Sequence, residues 1–203
     1  MLFRSGVKLA SGEEYRGKRI VSNATRWDTF EKLLSADQMP AKERRWQKRY
    51  QQSPSFLSLH LGVKESVLPV GTECHHILLE DWQQMEAEQG TIFVSIPTLL
   101  DPELAPPGHH IVHTFTPSWL QEWEQLSPKA YQEKKEAAAA RLIERLERIF
   151  PGLAAGLDYQ EVGTPRTHRR FLGRQGGTYG PIPRRKLDRK STRLNSSHLV
   201  ISY

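Results

Sequence analysis

The sequence predicts an α+β fold, a mainly antiparallel sheet accompanied by helices. Three observations carry this. Four short segments place apolar residues at strand spacing, and the loops between them are rich in proline and glycine. One longer segment, between Ser127 and Pro151, has helical periodicity with a start and a stop signal.

Residues 6–24 read as a hairpin. Val7 and Leu9 alternate, Ser11-Gly12 makes the turn, and Tyr15 begins the return before a bridge to Ile20-Val21. From Pro40 to Tyr50 a basic helix is expected, with Pro40 in its first turn and Trp46 and Tyr50 four apart on one face. The clearest strand is 57–63, where Leu57, Leu59, Leu61 and Val63 alternate with Ser58, His60 and Gly62. Residues 74–79 and 91–96 are shorter strands, the second stopped by Pro97. Residues 111–116 form a fourth, with Ile111, His113 and Phe115 on one face.

Ser127-Pro128 is an N-cap followed by a proline suited to the first helical position, and Pro151-Gly152 ends the helix. Ala138, Leu142, Leu146 and Ile149 make its buried stripe. Thr164-Pro165 is a second start signal, before the basic THRRFLGR and a glycine-rich turn, GGTYGPIP. No internal repeat is present.

Composition excludes several function classes. The 203 residues are 37% hydrophobic and 26% charged, as in a soluble globular protein. No run approaches the roughly 18 apolar residues of a membrane span. The opening MLFRSGVKLASGEEY has no apolar region of the signal-peptide kind. The single cysteine, Cys74, rules out an internal disulfide and a Cys-rich metal site. The formal charge is +6 and the pI near 9.5, but the charge is unevenly spread. Residues 1–49 carry +6, residues 50–126 carry −9, and residues 164–203 carry +9. A nucleic-acid binder needs one continuous basic face. A membrane surface or a mixed intramolecular interface explains two basic patches around an acidic middle better.

The histidines do not predict a metal site. His75-His76 and His109-His110 are adjacent pairs, which a strand points to opposite faces, and Cys74 has no CxxC partner. His60 and His113 are the candidate functional histidines, His60 on a polar strand face and His113 on an apolar one. Each reads either as a buried neutral imidazole or as an acid or base lining a substrate tunnel. The helix at 41–50 reads either as a solvated helix or as a dock on an anionic membrane.

Four phrases in order, RIVSNATRWDTFEKLL, SPSFLSLHLGV, GHHIVHTF and GTPRTHRRFLGRQGGTYGPIPRRKL, resemble the carotenoid (prolycopene) isomerase family over about residues 6–187. That family is related to flavin-dependent phytoene desaturases and retinol saturases. The resemblance implies the substrate-side domain of a two-domain, FAD-dependent, amine-oxidase-like or phytoene-desaturase-like flavoprotein, with the Rossmann core missing. It implies a late hairpin and strand of the flavin domain at 1–25, a polyene-binding domain at 26–163 and a return segment at 164–187. Residues 188–203, with STRLNSSHLVISY, look like translated adapter sequence and are expected to be non-native.

By the same resemblance, the cofactor is FAD and the substrate a carotenoid, poly-cis lycopene, isomerised to the all-trans form. Gly176, Gly177, Thr178 and Tyr179 are expected to line the substrate pocket with His60 and His113. Asn23 and Ala24 are expected beside the cofactor at the domain junction. No catalytic side chain is assigned. The implied location is a bacterial membrane's cytoplasmic side or a plastid, with peripheral membrane contact and no nucleic-acid partner. A carotenoid desaturase or polyene saturase is the alternative enzyme, and a basic nucleic-acid or lipid-binding module the non-catalytic one. No GxGxxG occurs in the chain, so these residues alone are expected neither to bind FAD tightly nor to turn over.

Overall fold

The structure is a computed structural model that describes residues 6–85, 87–178 and 180–182. The described residues fall into two units, one within 6–53 with 180–182 and one within 54–178.

In the first unit, β1 (Gly6–Lys8) pairs antiparallel with β2 (Glu14–Arg16), and Val7 faces Tyr15 across the ladder. Gly12, at φ 91°, supplies the left-handed residue of the turn. Residues 17–24, which include Ile20-Val21, hold no strand. Thr25 then anchors a π-helical turn at Asp28–Lys32: its hydroxyl donates to Asp28 Oδ2 and accepts from the Asp28 N–H. Helix α1 (Ala41–Gln47) follows, with Pro40 as its N-cap. It buries Glu43, whose carboxylate is paired with the Arg26 guanidinium. Tyr50 lies beyond the helix end, edge-on to Trp27 at 6.0 Å, while Trp46 stays on α1 beneath Lys42. The expected Trp46/Tyr50 face is therefore split, because α1 ends before its last turn reaches Tyr50.

The second unit is built on one antiparallel sheet. Its strands are β3 (Ser55–Lys64), β4 (His75–Leu79), β5 (Thr91–Ser95), β6 (His109–Ser118) and β7 (Leu157–Gly163), in the order β4-β5-β6-β3-β7. The four expected strands are all present. β7 was not expected, for a physical reason: it is an edge strand whose Asp158, Tyr159, Gln160 and Glu161 are all exposed, so it carries no alternation to read. It is held by the backbone ladder to β3.

Three helices complete the unit: α2 (Gln121–Glu124), α3 (Pro128–Leu146) and α4 (Pro165–Leu172). Ser127 caps α3 by accepting the Ala130 N–H, and Pro128 opens the first turn as expected. Thr164 and Thr167 cap α4 reciprocally. Leu57, Leu59, Leu61 and Val63 of β3 are buried in one cluster with Ala138, Leu142 and Leu146 of α3, and with Trp123 and Phe150. Ile149 packs at its margin. Period two in β3 thus meets period 3.6 in α3 across one interface.

Candidate functional site: the open face of the sheet

With one sheet face buried against the helices, the same alternation sends every second residue to the other face. β3 contributes Phe56, Ser58, His60 and Gly62 there, β5 contributes Phe93 and Ser95, and β6 contributes Ile111, His113 and Phe115. The registers order them into rows. Phe93 faces Phe115, which faces Ser58. Ser95 faces His113, which faces His60, which faces Glu161. Ile111 faces Gly62, which faces Tyr159. Gly62 leaves room for its neighbour, since a Cβ there would stand 3.1 Å from Tyr159 Cβ.

The rings touch. Phe93 stacks on Phe115 at 4.8 Å between centroids, and Phe56 meets Phe115 edge-on at 5.2 Å. His60 and His113 stack at 4.3 Å, their planes 17° apart. The two histidines expected on faces of different character therefore share one. The pairing register between β3 and β6, which neither strand's pattern contains, decides this. On β6 the fully buried face is Val112, Thr114 and Thr116, and the Ile111/His113/Phe115 face is only half-buried.

His168 of α4 joins this corner, with Nε2 3.5 Å from the buried Ser58 hydroxyl. Burial lowers the pKa of His113 from the usual imidazole value, and His60 and His168 push it the same way. Burial also lowers that of His168, with His60 adding to it. At neutral pH His113 and His168 are thus uncharged. The face as a whole is a floor of aromatic and aliphatic groups crossed by one polar row, which offers apolar area and few hydrogen-bonding groups. Phe56, Phe93, Phe115, Ser58, Tyr159, Glu161 and His168 belong to it and were not singled out from sequence. Period two in 55–64, 91–95 and 109–118 holds the signal for Phe56, Ser58, Phe93 and Phe115, whereas β7 and α4 carry none.

The other expected site residues lie elsewhere. Gly177 and Thr178 are buried near the Ser55 end of β3, where the Ser55 hydroxyl donates to the Gly177 carbonyl at 2.7 Å. That is five residues from His60, roughly 16 Å along a strand. Gly176 and Gly177 both have φ near +65°, and a Cβ on Gly177 would meet the Pro165 carbonyl at 2.8 Å. Packing within the turn therefore accounts for glycine at 177 without a ligand. Asn23 and Ala24 are exposed residues of the first unit. Tyr179 and residues 188–203 lie outside the described residues.

A dinucleotide cradle does not fit the residues described. Every strand pairing among them is antiparallel, and the amino ends of α3 and α4 are already capped by Ser127, Thr164 and Thr167. Among the described residues no cluster of three or more His, Cys, Asp or Glu is placed to hold a metal.

No family model matches the chain. Known proteins do. The chain is 58% identical to a chloroplastic prolycopene isomerase of Arabidopsis thaliana over 181 residues, which is 88% of this chain and 30% of the relative. It is 56% identical to the corresponding protein of Daucus carota over 180 residues, 88% of this chain and 29% of that one. This chain is a prolycopene isomerase homologue. It spans about 30% of the length of the curated relatives it matches. A neurosporene-forming phytoene desaturase of Cereibacter sphaeroides is 28% identical over 89% of the chain, so the prolycopene isomerase homologue is also a distant relative of desaturases.

Proposed function

We propose that this chain is the substrate-side portion of an FAD-dependent carotenoid isomerase that converts poly-cis lycopene to all-trans lycopene. The carrying observation is the step in identity, from 56–58% against prolycopene isomerases to 28% against a desaturase over the same share of chain. The open sheet face supports it, because a hydrocarbon polyene asks for apolar area and no hydrogen bonds. In this reading the face is one wall of the polyene site. It orients the ligand and excludes water from one side, while the flavin, held outside the described residues, supplies the redox-active ring.

The assignment of 1–25 to the flavin side, 26–163 to the substrate domain and 164–187 to a return segment belongs to the same proposal. The structural units part at residues 53 and 178, which groups 26–53 with the hairpin. The proposed location is the plastid, as in the chloroplastic relatives, or the cytoplasmic face of a bacterial membrane. Peripheral membrane contact is supported by the exposed Lys42, Arg44 and Arg45 of α1. No helix among the described residues is long and apolar enough to cross a membrane.

The test is expression of the complete coding sequence in a bacterium that accumulates prolycopene, with carotenoids resolved by chromatography. The proposal expects prolycopene to fall and all-trans lycopene to rise, with phytoene unchanged. Unchanged prolycopene, with new double bonds in phytoene, replaces the isomerase with a desaturase.

A further inference from the structure

The polar row on the open face is unexpected under a hydrocarbon. Ser95, His113, His60 and Glu161 cross it between the Phe93/Phe115 pair and the Ile111/Tyr159 row. We propose that the stacked His60–His113 pair is a specificity element of this face, admitting a flat apolar polyene while His113 is neutral and rejecting it once His113 takes a proton. This rests on the reading that the open face holds a polyene.

The argument is geometric. The two imidazoles stack with their planes 17° apart beside the Phe93–Phe115 stack, and the His113 ring lies 6.2 Å from that of Phe115, tilted 49° to it. In that arrangement a neutral imidazole behaves as a further aromatic tile. A proton on His113 changes this, because its neighbours offer no compensation. Its register partners are Ser95 on β5 and His60 on β3, and its same-face neighbours on β6 are Ile111 and Phe115.

The other titratable groups around the row are more remote. Glu161 of β7 stands on the far side of His60 and accepts from the Tyr159 hydroxyl at 3.3 Å. His168 of α4 sits over Ser58, and His75 of β4 lies beyond Ser95. His60 stands between Glu161 and His113, and the histidines only oppose its protonation. An imidazolium covered by hydrocarbon would thus lose water and gain no anion among its register partners, which is unfavourable. Burial already disfavours the proton in the free face, and a bound polyene disfavours it further by linkage.

The experiment titrates the 203-residue chain with diphenylhexatriene, a hydrocarbon polyene without ionisable groups whose fluorescence rises on leaving water. Binding is measured from pH 8.0 to 5.0, with circular dichroism confirming the fold at each pH. An imidazole titrating at its ordinary value of about 6.5 would weaken binding about tenfold at pH 5.5. His113 titrates lower, so the expected loss at pH 5.5 is smaller than that and deepens towards pH 5.0.

His113→Phe keeps a flat ring and removes the proton. Measured against its own affinity at pH 8.0, it is expected to lose less than half as much, on a logarithmic scale, as the parent does when the pH falls. His113→Gln, also uncharged, gives the same flattening should the Phe variant fail to fold. A parent profile that is flat, or unchanged in both variants, overturns the proposal and leaves the polyene site standing. No binding at pH 8.0 overturns both.

Discussion

Thr114 offers a sharp test of the core. It lies on β6, facing Leu59 and Val94, with no solvent exposure. Its hydroxyl has no hydrogen-bond partner among the described residues. Two residues on, the equally buried Thr116 donates to the Thr91 carbonyl at 2.7 Å. A buried, unsatisfied hydroxyl costs about 1–3 kcal/mol, and a methyl in its place adds up to about 0.8 kcal/mol of apolar burial. Valine has nearly the same shape and favours strands. Thr114→Val should therefore stabilise the chain by about 1–2 kcal/mol after allowance for imperfect fit. Thr116→Val removes a hydrogen bond made to the Thr91 carbonyl, so it should cost about 1 kcal/mol. Urea unfolding at constant slope reads both as midpoint shifts in opposite directions. A lowered midpoint for Thr114→Val would refute the reasoning, because it would mean that the hydroxyl makes a bond worth more than its burial costs.

Leu142→Ala, at a fully buried position on α3, should cost about 2–5 kcal/mol, whereas Leu172→Ala, at an exposed position on α4, should stay within about 0.5 kcal/mol; equal costs would contradict the assignment of the core. Gly177→Ala meets both a φ of +64° and the Pro165 carbonyl, and should cost more than Gly71→Ala, where φ is +83° but no atom lies within 4 Å. Stability should also fall in mild acid. His113 and His168 titrate lower in the fold than in the unfolded chain, so the unfolded state takes up protons first as the pH drops. Their contribution is complete above about pH 6.5 and is lost as the pH falls through that value towards the folded ones. Urea midpoints at pH 7.5 and 5.5 measure the slope, and His113→Phe should reduce it.

What the sequence reveals here depends on whether an element is covered on one face. β3 and α3 each bury one side, so hydrophobic periodicity marks them almost to the residue, from Leu57 to Val63 and from Ala138 to Leu146. Their caps are equally legible, because Ser127-Pro128 and Thr164-Pro165 are chemically specific start signals. β7 is an edge strand exposed along most of its length, and its pairing with β3 is a backbone event that leaves no pattern. The functional face was half legible. His60 and His113 stand out singly, but their stacking depends on the β3–β6 register, which pairs residues 45 or more apart in the chain. His168 reaches the same corner only through the turn from β7 into α4, which short-range pattern does not specify.

The open face asks for an occupant, and its chemistry narrows the choice. Phe56, Phe93, Phe115 and Ile111 are only half-buried, while Ile77 and Tyr159 are largely exposed, so the apolar groups extend across all five strands. Contiguous apolar surface of this kind marks a binding site in soluble proteins. A protein partner brings backbone donors and acceptors that must be matched, yet the row available to match them is two stacked imidazoles, a serine and an edge glutamate. A conjugated hydrocarbon brings none, and the flat stacks suit it without further adjustment. Under the proposed polyene reading, the neutral state that burial gives His113 is also what the ligand requires. The same polarity argument that favours the polyene therefore also predicts how acid should displace it.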